Sequence, residues 1–90
     1  MTTPVRKAWD EYERARGRVE GSMAVVTKLQ QPALAVARGV ALKHLEECGE
    51  AFAALERAWI ASEKGLPSNA RELNQKFWTW AQSALRTVMA

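Results

Sequence analysis

Cysteine and long apolar runs are scarce in this chain. It has 1 cysteine, Cys48, among its 90 residues, so an intrachain disulfide is excluded and the usage is typical of a cytosolic chain. The apolar runs at 33–37 and 51–55 end at charged residues, well short of the ~18 residues that a membrane-spanning helix needs. Residues 1–7 lack the apolar centre of a signal peptide. The sequence therefore predicts a cytoplasmic protein with no membrane span.

The motifs that reveal many enzymes are also missing. The chain has no glycine-rich phosphate loop, no HExxH pair and no nucleophile elbow. His44, Glu47 and Cys48 have the spacing of ligands on one helix, but zinc needs four ligands and the chain has 1 histidine and 1 cysteine. A second copy of the chain would have to supply the rest. We therefore expect no enzyme activity, no metal site and no cofactor, and we interpret Cys48 as a buried apolar residue.

Strong net charge is absent as well. The formal charge is +3, and the arginines at 14, 16 and 18 are spaced by two, which spreads them around a helix among interleaved acidic residues. Nucleic-acid binding is therefore disfavoured. Hydrophobic residues make up 48% and charged residues 26% of the chain, which is ordinary for one globular domain over 1–90, near the lower size limit for a self-sufficient core.

The strongest positive signal is an apolar stripe in the middle of the chain. Its members recur on average every three and a half residues, with Arg38 as the only interruption, and predict a helix over about 33–64. Alanine and glycine on several faces place this helix between two neighbours. We interpret Gly39 and Gly49 as contact points for those neighbours, with a mild bend of the helix as the alternative. The stripe consists of Leu34, Ala41, Leu45, Cys48, Phe52, Leu55 and Trp59.

A similar stripe precedes it and predicts a first helix over about 4–29. Pro4 suits the first position of a helix, and Arg16 is the only polar member of the stripe. Gly21 offers an earlier end, but the unbroken spacing favours a continuous helix and a first chain reversal at Pro32. The members are Val5, Trp9, Tyr12, Arg16, Val19, Met23 and Val26.

A third helix is predicted over about 69–89. Gly65 and Pro67 end the preceding helix, and Asn69 with Glu72 has the form of a capping box. We therefore predict an all-α fold of three helices. It is either an up-down-up bundle with the second helix in the middle or a long helical hairpin plus a third helix, with a core closed in one chain or completed by homodimerisation.

The aromatic pair in the third helix suggests a function. Trp78 and Trp80 border the apolar face of this helix, and tryptophan is enriched where proteins bind proteins. The alternative is that both rings lie flat over a small core. We predict a small intracellular protein-binding module, an accessory, regulator or inhibitor, with Trp78, Trp80, Leu85 and Met89 as its partner-binding residues. A self-assembling structural protein and a nucleic-acid-binding regulator are the other two hypotheses.

Overall fold

Three α-helices and no strand make up the described part of the chain. The computed structural model describes residues 3–90, in which α1 spans Thr3–Val26, α2 spans Ala33–Ala61 and α3 spans Ala70–Met89. The predicted all-α class with three helices is confirmed. None of the helices in this range is long and apolar enough to cross a membrane. Met1 and Thr2, which begin the segment that lacks a signal-peptide centre, lie outside the described residues.

The helix ends differ from the predicted ones by a few residues. α1 continues through Gly21 to Val26. The first chain reversal lies in the non-helical residues 27–32, which end at Pro32. α2 ends at Ala61, because the Ser62 backbone N–H and hydroxyl both donate to the Trp59 carbonyl, at 3.1 and 2.7 Å. Asn69 occupies the position before α3, but its side chain makes no capping hydrogen bond, so the predicted capping box is wrong.

α1 and α2 pack most closely and run antiparallel. Contacts between them pair rising residue numbers in α1 with falling numbers in α2, which is the signature of two antiparallel neighbours. Small and branched residues on both stripes are fully enclosed along this seam. The contacts join Trp9 with Trp59 (ring centroids 6.2 Å apart), Tyr12 with Phe52 (5.3 Å) and Ser22 Oγ with His44 Nδ1 (2.6 Å).

α3 lies against both other helices at an aromatic junction. The Phe77 ring stacks on Phe52 with centroids 4.4 Å apart and planes 5° apart, and Tyr12 meets Phe77 edge to face at 5.9 Å. Asn74 Nδ2 donates to Glu56 at 2.9 Å on one side of this point. α3 is therefore fixed at its centre by three rings, one from each helix.

The two arginines that interrupt the stripes of α1 and α2 both hold α3. Arg16 places its guanidinium carbon 4.4 Å from the centroid of the Trp80 ring, a cation–π contact. Arg38 donates from Nε to the Val88 carbonyl at 3.0 Å and from a terminal nitrogen to the Ala90 carbonyl. Since the last carbonyls of a helix lack partners within it and carry partial negative charge, a cation there is favourable. The contacts with α3 therefore explain why an arginine stands in each of the two apolar stripes.

Deleting a fully enclosed side chain tests the packed seam. Leu55 has an exposed fraction of 0%, whereas Ile60 on the same helix is 65% exposed. We expect Leu55→Ala to lower the free energy of unfolding by about 2–5 kcal/mol because it leaves a cavity, while Ile60→Ala changes it by less than about 1 kcal/mol. Urea denaturation measures both, and equal losses would contradict this seam.

The hydrogen bonds from Arg38 give a second test. We expect Arg38→Gln to lower the free energy of unfolding by about 1–2 kcal/mol and to speed amide hydrogen exchange in the last turn of α3. Lys43→Gln, an exposed change on the same helix, is the matched control and should leave that exchange unchanged. Identical exchange profiles for the two variants would show that Arg38 does not hold α3.

Candidate protein-binding groove

An open groove of about 580 Å³ runs between α2 and α3 on one side of the molecule. We call it the α2–α3 groove and define it by the residues that line it. Most of them are apolar, and both helices contribute. The lining consists of Leu42, Leu45, Glu46, Gly49, Glu50 and Ala53 from α2 and of Phe77, Trp78, Ala81, Gln82 and Leu85 from α3.

The groove exists because the facing positions carry small side chains. Gly49 and Ala53 of α2 and Ala81 of α3 fill little of the space beside the aromatic junction. A Cβ atom built on Gly49 would have nothing within 4 Å, and the same is true of Gly39. The interpretation of these two glycines as helix contact points is therefore wrong, since at Gly49 the missing side chain leaves open space instead.

Trp78 forms one wall of the groove. Its side chain is 53% exposed, and its ring packs edge to face on Phe77, with centroids 5.1 Å apart and planes 74° apart. A tryptophan held by a core ring presents a large apolar surface that needs little further ordering when it binds. Leu85, seven residues on, is also exposed and lines the same groove.

The other two predicted site residues lie elsewhere. Met89 is 58% exposed and, four residues after Leu85, continues the same stripe of α3 beyond the groove. Trp80 is partly buried on the opposite flank, with Arg16 over its ring and Phe77 at 6.0 Å. Residues two apart on a helix point about 200° apart, so the structure does not bring Trp80 together with Trp78.

The α2 side of the groove was missed from sequence alone. Leu42, Glu46 and Glu50 line it, and both glutamates are exposed, as is usual for an acidic run on a helix. A signal was present, because Leu42, Gly49 and Ala53 repeat at steps of seven and four along one flank of the main stripe. Only the position of α3 shows that this flank faces Trp78.

The three candidate metal ligands on α2, His44, Glu47 and Cys48, do not form a common site. Cys48 is fully buried between α1 and α2, while Glu47 is exposed and His44 Nδ1 is 2.6 Å from Ser22 Oγ. Among residues 3–90, no group of three or more His, Cys, Asp and Glu side chains is placed to hold a metal ion. Burial raises the pKa of the Cys48 thiol to about 11, so the thiolate that nucleophilic or metal chemistry needs is disfavoured.

The raised pKa predicts a pH dependence of stability. The Cys48 thiol has an ordinary pKa of 9.0 and a folded value of about 11, so the unfolded chain loses its proton first as the pH rises. The free energy of unfolding should therefore be constant below about pH 9 with respect to this group. It should then fall by about 2 kcal/mol between pH 9 and 11.

Cys48→Ala isolates the contribution of this thiol, because every other residue is the same in the two chains. Guanidinium denaturation from pH 7 to 11 should show a steeper loss for the wild type than for the variant. If the free energy of unfolding falls equally with pH in the two chains, the thiol is not buried in the folded state.

No protein-family model, no curated protein and no solved structure matches this chain.

Proposed function

We propose that this chain is a small cytoplasmic accessory protein, regulator or inhibitor that acts by binding another protein in the α2–α3 groove. The observation that carries the proposal is the exposed indole of Trp78 on the wall of an open, mainly apolar groove. In this proposal the three helices form one up-down-up bundle that holds the groove open. Neither an enzyme activity nor a cofactor is part of it.

The composition of the groove supports this function. Well-packed tryptophans at the centre of an interface supply much of its binding energy, and surrounding apolar residues exclude water from them. Trp78 has Leu85 on its own helix and Leu42 and Leu45 on the facing one. Burying such surface is worth about 25 cal/mol per Å² before the costs of association. Trp80, already packed under Arg16, takes no part in the proposed surface.

Self-assembly is the second candidate, and one observation favours it. Val36 and Val40 form an exposed apolar strip on another face of α2, and Val36 is 70% exposed. A homodimer would cover such a strip. The apolar stripes of α1 and α2, by contrast, are buried within one chain, so their use between chains would require the helices to separate.

Nucleic-acid binding gains no support from the arginines of α1. Arg14 lies 2.9 Å and Arg18 3.7 Å from the carboxylate of Glu11, and Arg16 lies 3.5 Å from Glu20. These exposed pairs are weak individually, but they place negative charge beside each cation. A phosphate backbone would have to compete with those carboxylates.

Affinity capture with groove variants tests the proposal. We expect Trp78→Ala to remove proteins that the wild-type chain retains from the extract of its native cell, because truncating an interface tryptophan commonly costs about 2 kcal/mol or more. Val36→Ala, an exposed apolar change outside the groove, should retain them. Circular dichroism checks that both variants are folded.

Analytical ultracentrifugation of the same three proteins separates the two candidates. Partner binding predicts a monomer in all three, whereas self-assembly predicts a dimer in the wild type that Val36→Ala weakens. If a folded Trp78→Ala variant captures the same proteins in the same amounts, the groove is not the binding surface.

A further inference from the structure

We propose that the occupant of the α2–α3 groove is a basic amphipathic helix of the partner protein. This inference rests on the proposed function and adds the chemistry of the ligand. Two properties of the groove carry it, namely the sign of the charges on its rim and the dimensions of its apolar floor.

The charged residues that line the groove are both acidic. Glu46 and Glu50 stand on its α2 rim, and the α3 rim carries the neutral amide of Gln82. Within the described residues, neither carboxylate has a basic side-chain nitrogen within 4 Å, since the ion pairs there join other residues. The rim therefore offers two unpaired negative charges beside an apolar floor, and a cationic partner complements them.

The spacing of the two glutamates fits a helix. They are four residues apart on α2, which separates them by about 6 Å along the axis. Lysine or arginine residues at i and i+4 of a partner helix have the same separation. The partner therefore needs two basic residues one turn apart on the flank that faces α2.

The floor has the length of a short helical segment. From Leu42 to Ala53 α2 advances about 16 Å, and from Phe77 to Leu85 α3 advances about 12 Å. A helix that lies in a groove of this length presents apolar residues at i, i+4 and i+7, which is a common mode of peptide recognition. Leu45 and Trp78 stand on opposite walls to receive these residues, and the empty space at Gly49 admits a side chain.

The acidic rim argues against polyanionic occupants. Phosphate groups of a nucleic acid or of an anionic membrane surface would lie beside Glu46 and Glu50, where like charges repel. A neutral apolar helix would fill the floor but would make no favourable charge interaction with the two exposed carboxylates. A basic amphipathic helix can place apolar side chains on the floor and positive charges beside both glutamates.

A pair of synthetic helical peptides tests the inference. One is an 18-residue, fluorescein-labelled peptide with leucine at i, i+4 and i+7 and lysine on both flanks, and the other has glutamate at every lysine position. Fluorescence anisotropy at low salt gives the dissociation constant of each with the wild-type chain. We expect the lysine peptide to bind, to lose affinity as salt is added, and to bind at least about 10-fold more tightly than the glutamate peptide.

Two double variants locate the charge effect. Glu46→Gln/Glu50→Gln should weaken binding of the lysine peptide about 3- to 10-fold, because two charge pairs are lost. Glu47→Gln/Glu63→Gln removes the same charge from exposed positions outside the groove and should change the dissociation constant less than about 2-fold. Trp78→Ala should weaken binding about 10-fold or more.

The outcomes separate this inference from the proposed function. Equal affinity for the two peptides, equal effects of the two double variants, or no binding of the lysine peptide would overturn the basic helix as occupant. If both peptides bind and Trp78→Ala weakens both, the groove remains a protein-binding surface. If neither peptide binds, capture with the wild type and Trp78→Ala decides the proposed function. If the wild type forms a dimer that Trp78→Ala dissociates, the occupant is a second copy and the inference is wrong.

Discussion

The stacked rings of Phe52 and Phe77 fix the rest of the arrangement. Their centroids are 4.4 Å apart and their planes almost parallel, and Tyr12 meets both rings edge to face. This contact sets the rotation of α3 about its own axis. Since successive residues of a helix point about 100° apart, burying Phe77 turns its neighbour Trp78 away from the core and onto the groove wall. The exposure of Trp78 is thus a consequence of the core packing.

The contacts around this junction leave one side of α3 uncovered. Arg16 reaches over Trp80 on one flank, and Arg38 binds the carbonyls at the C-terminal end. The opposite flank faces Gly49 and other small residues of α2, which do not reach across the gap. The same helix therefore contacts the other two helices at its centre and end and lines an open, mainly apolar groove.

Hydrophobic spacing predicted the helices well because helical periodicity is a local property. The stripes of the first two helices and the boundary residues of the third predicted the helical class and nearly all of the helical residues, and Cys48 was correctly interpreted as a buried apolar residue. The ends were less accurate, because they depend on single hydrogen bonds such as those from Ser62 to Trp59. Local capping patterns do not determine whether those bonds form.

The site was only partly predictable, for a different reason. Helical periodicity gives the direction in which each side chain points, but it does not show which neighbouring helix the side chain faces. For this reason Gly49 was interpreted as a helix contact point, and the polar residue Arg38 in an apolar stripe had no explanation. The directions alone do separate Trp78 from Trp80, because residues two apart on a helix point about 200° apart. The groove, the acidic rim at Glu46 and Glu50, and the role of Arg38 all depend on where α3 lies, which is a tertiary property.

The nuclear Overhauser spectrum of the aromatic protons tests the central claim most directly. This account predicts strong cross-peaks between the ring protons of Phe52 and Phe77 and weaker ones from Tyr12 to both, in the chain without a partner. Cross-peaks from Phe52 to the Trp78 indole in place of Phe77 would show that α3 is rotated. In that case the indole would lie in the core, and the groove described here would not exist.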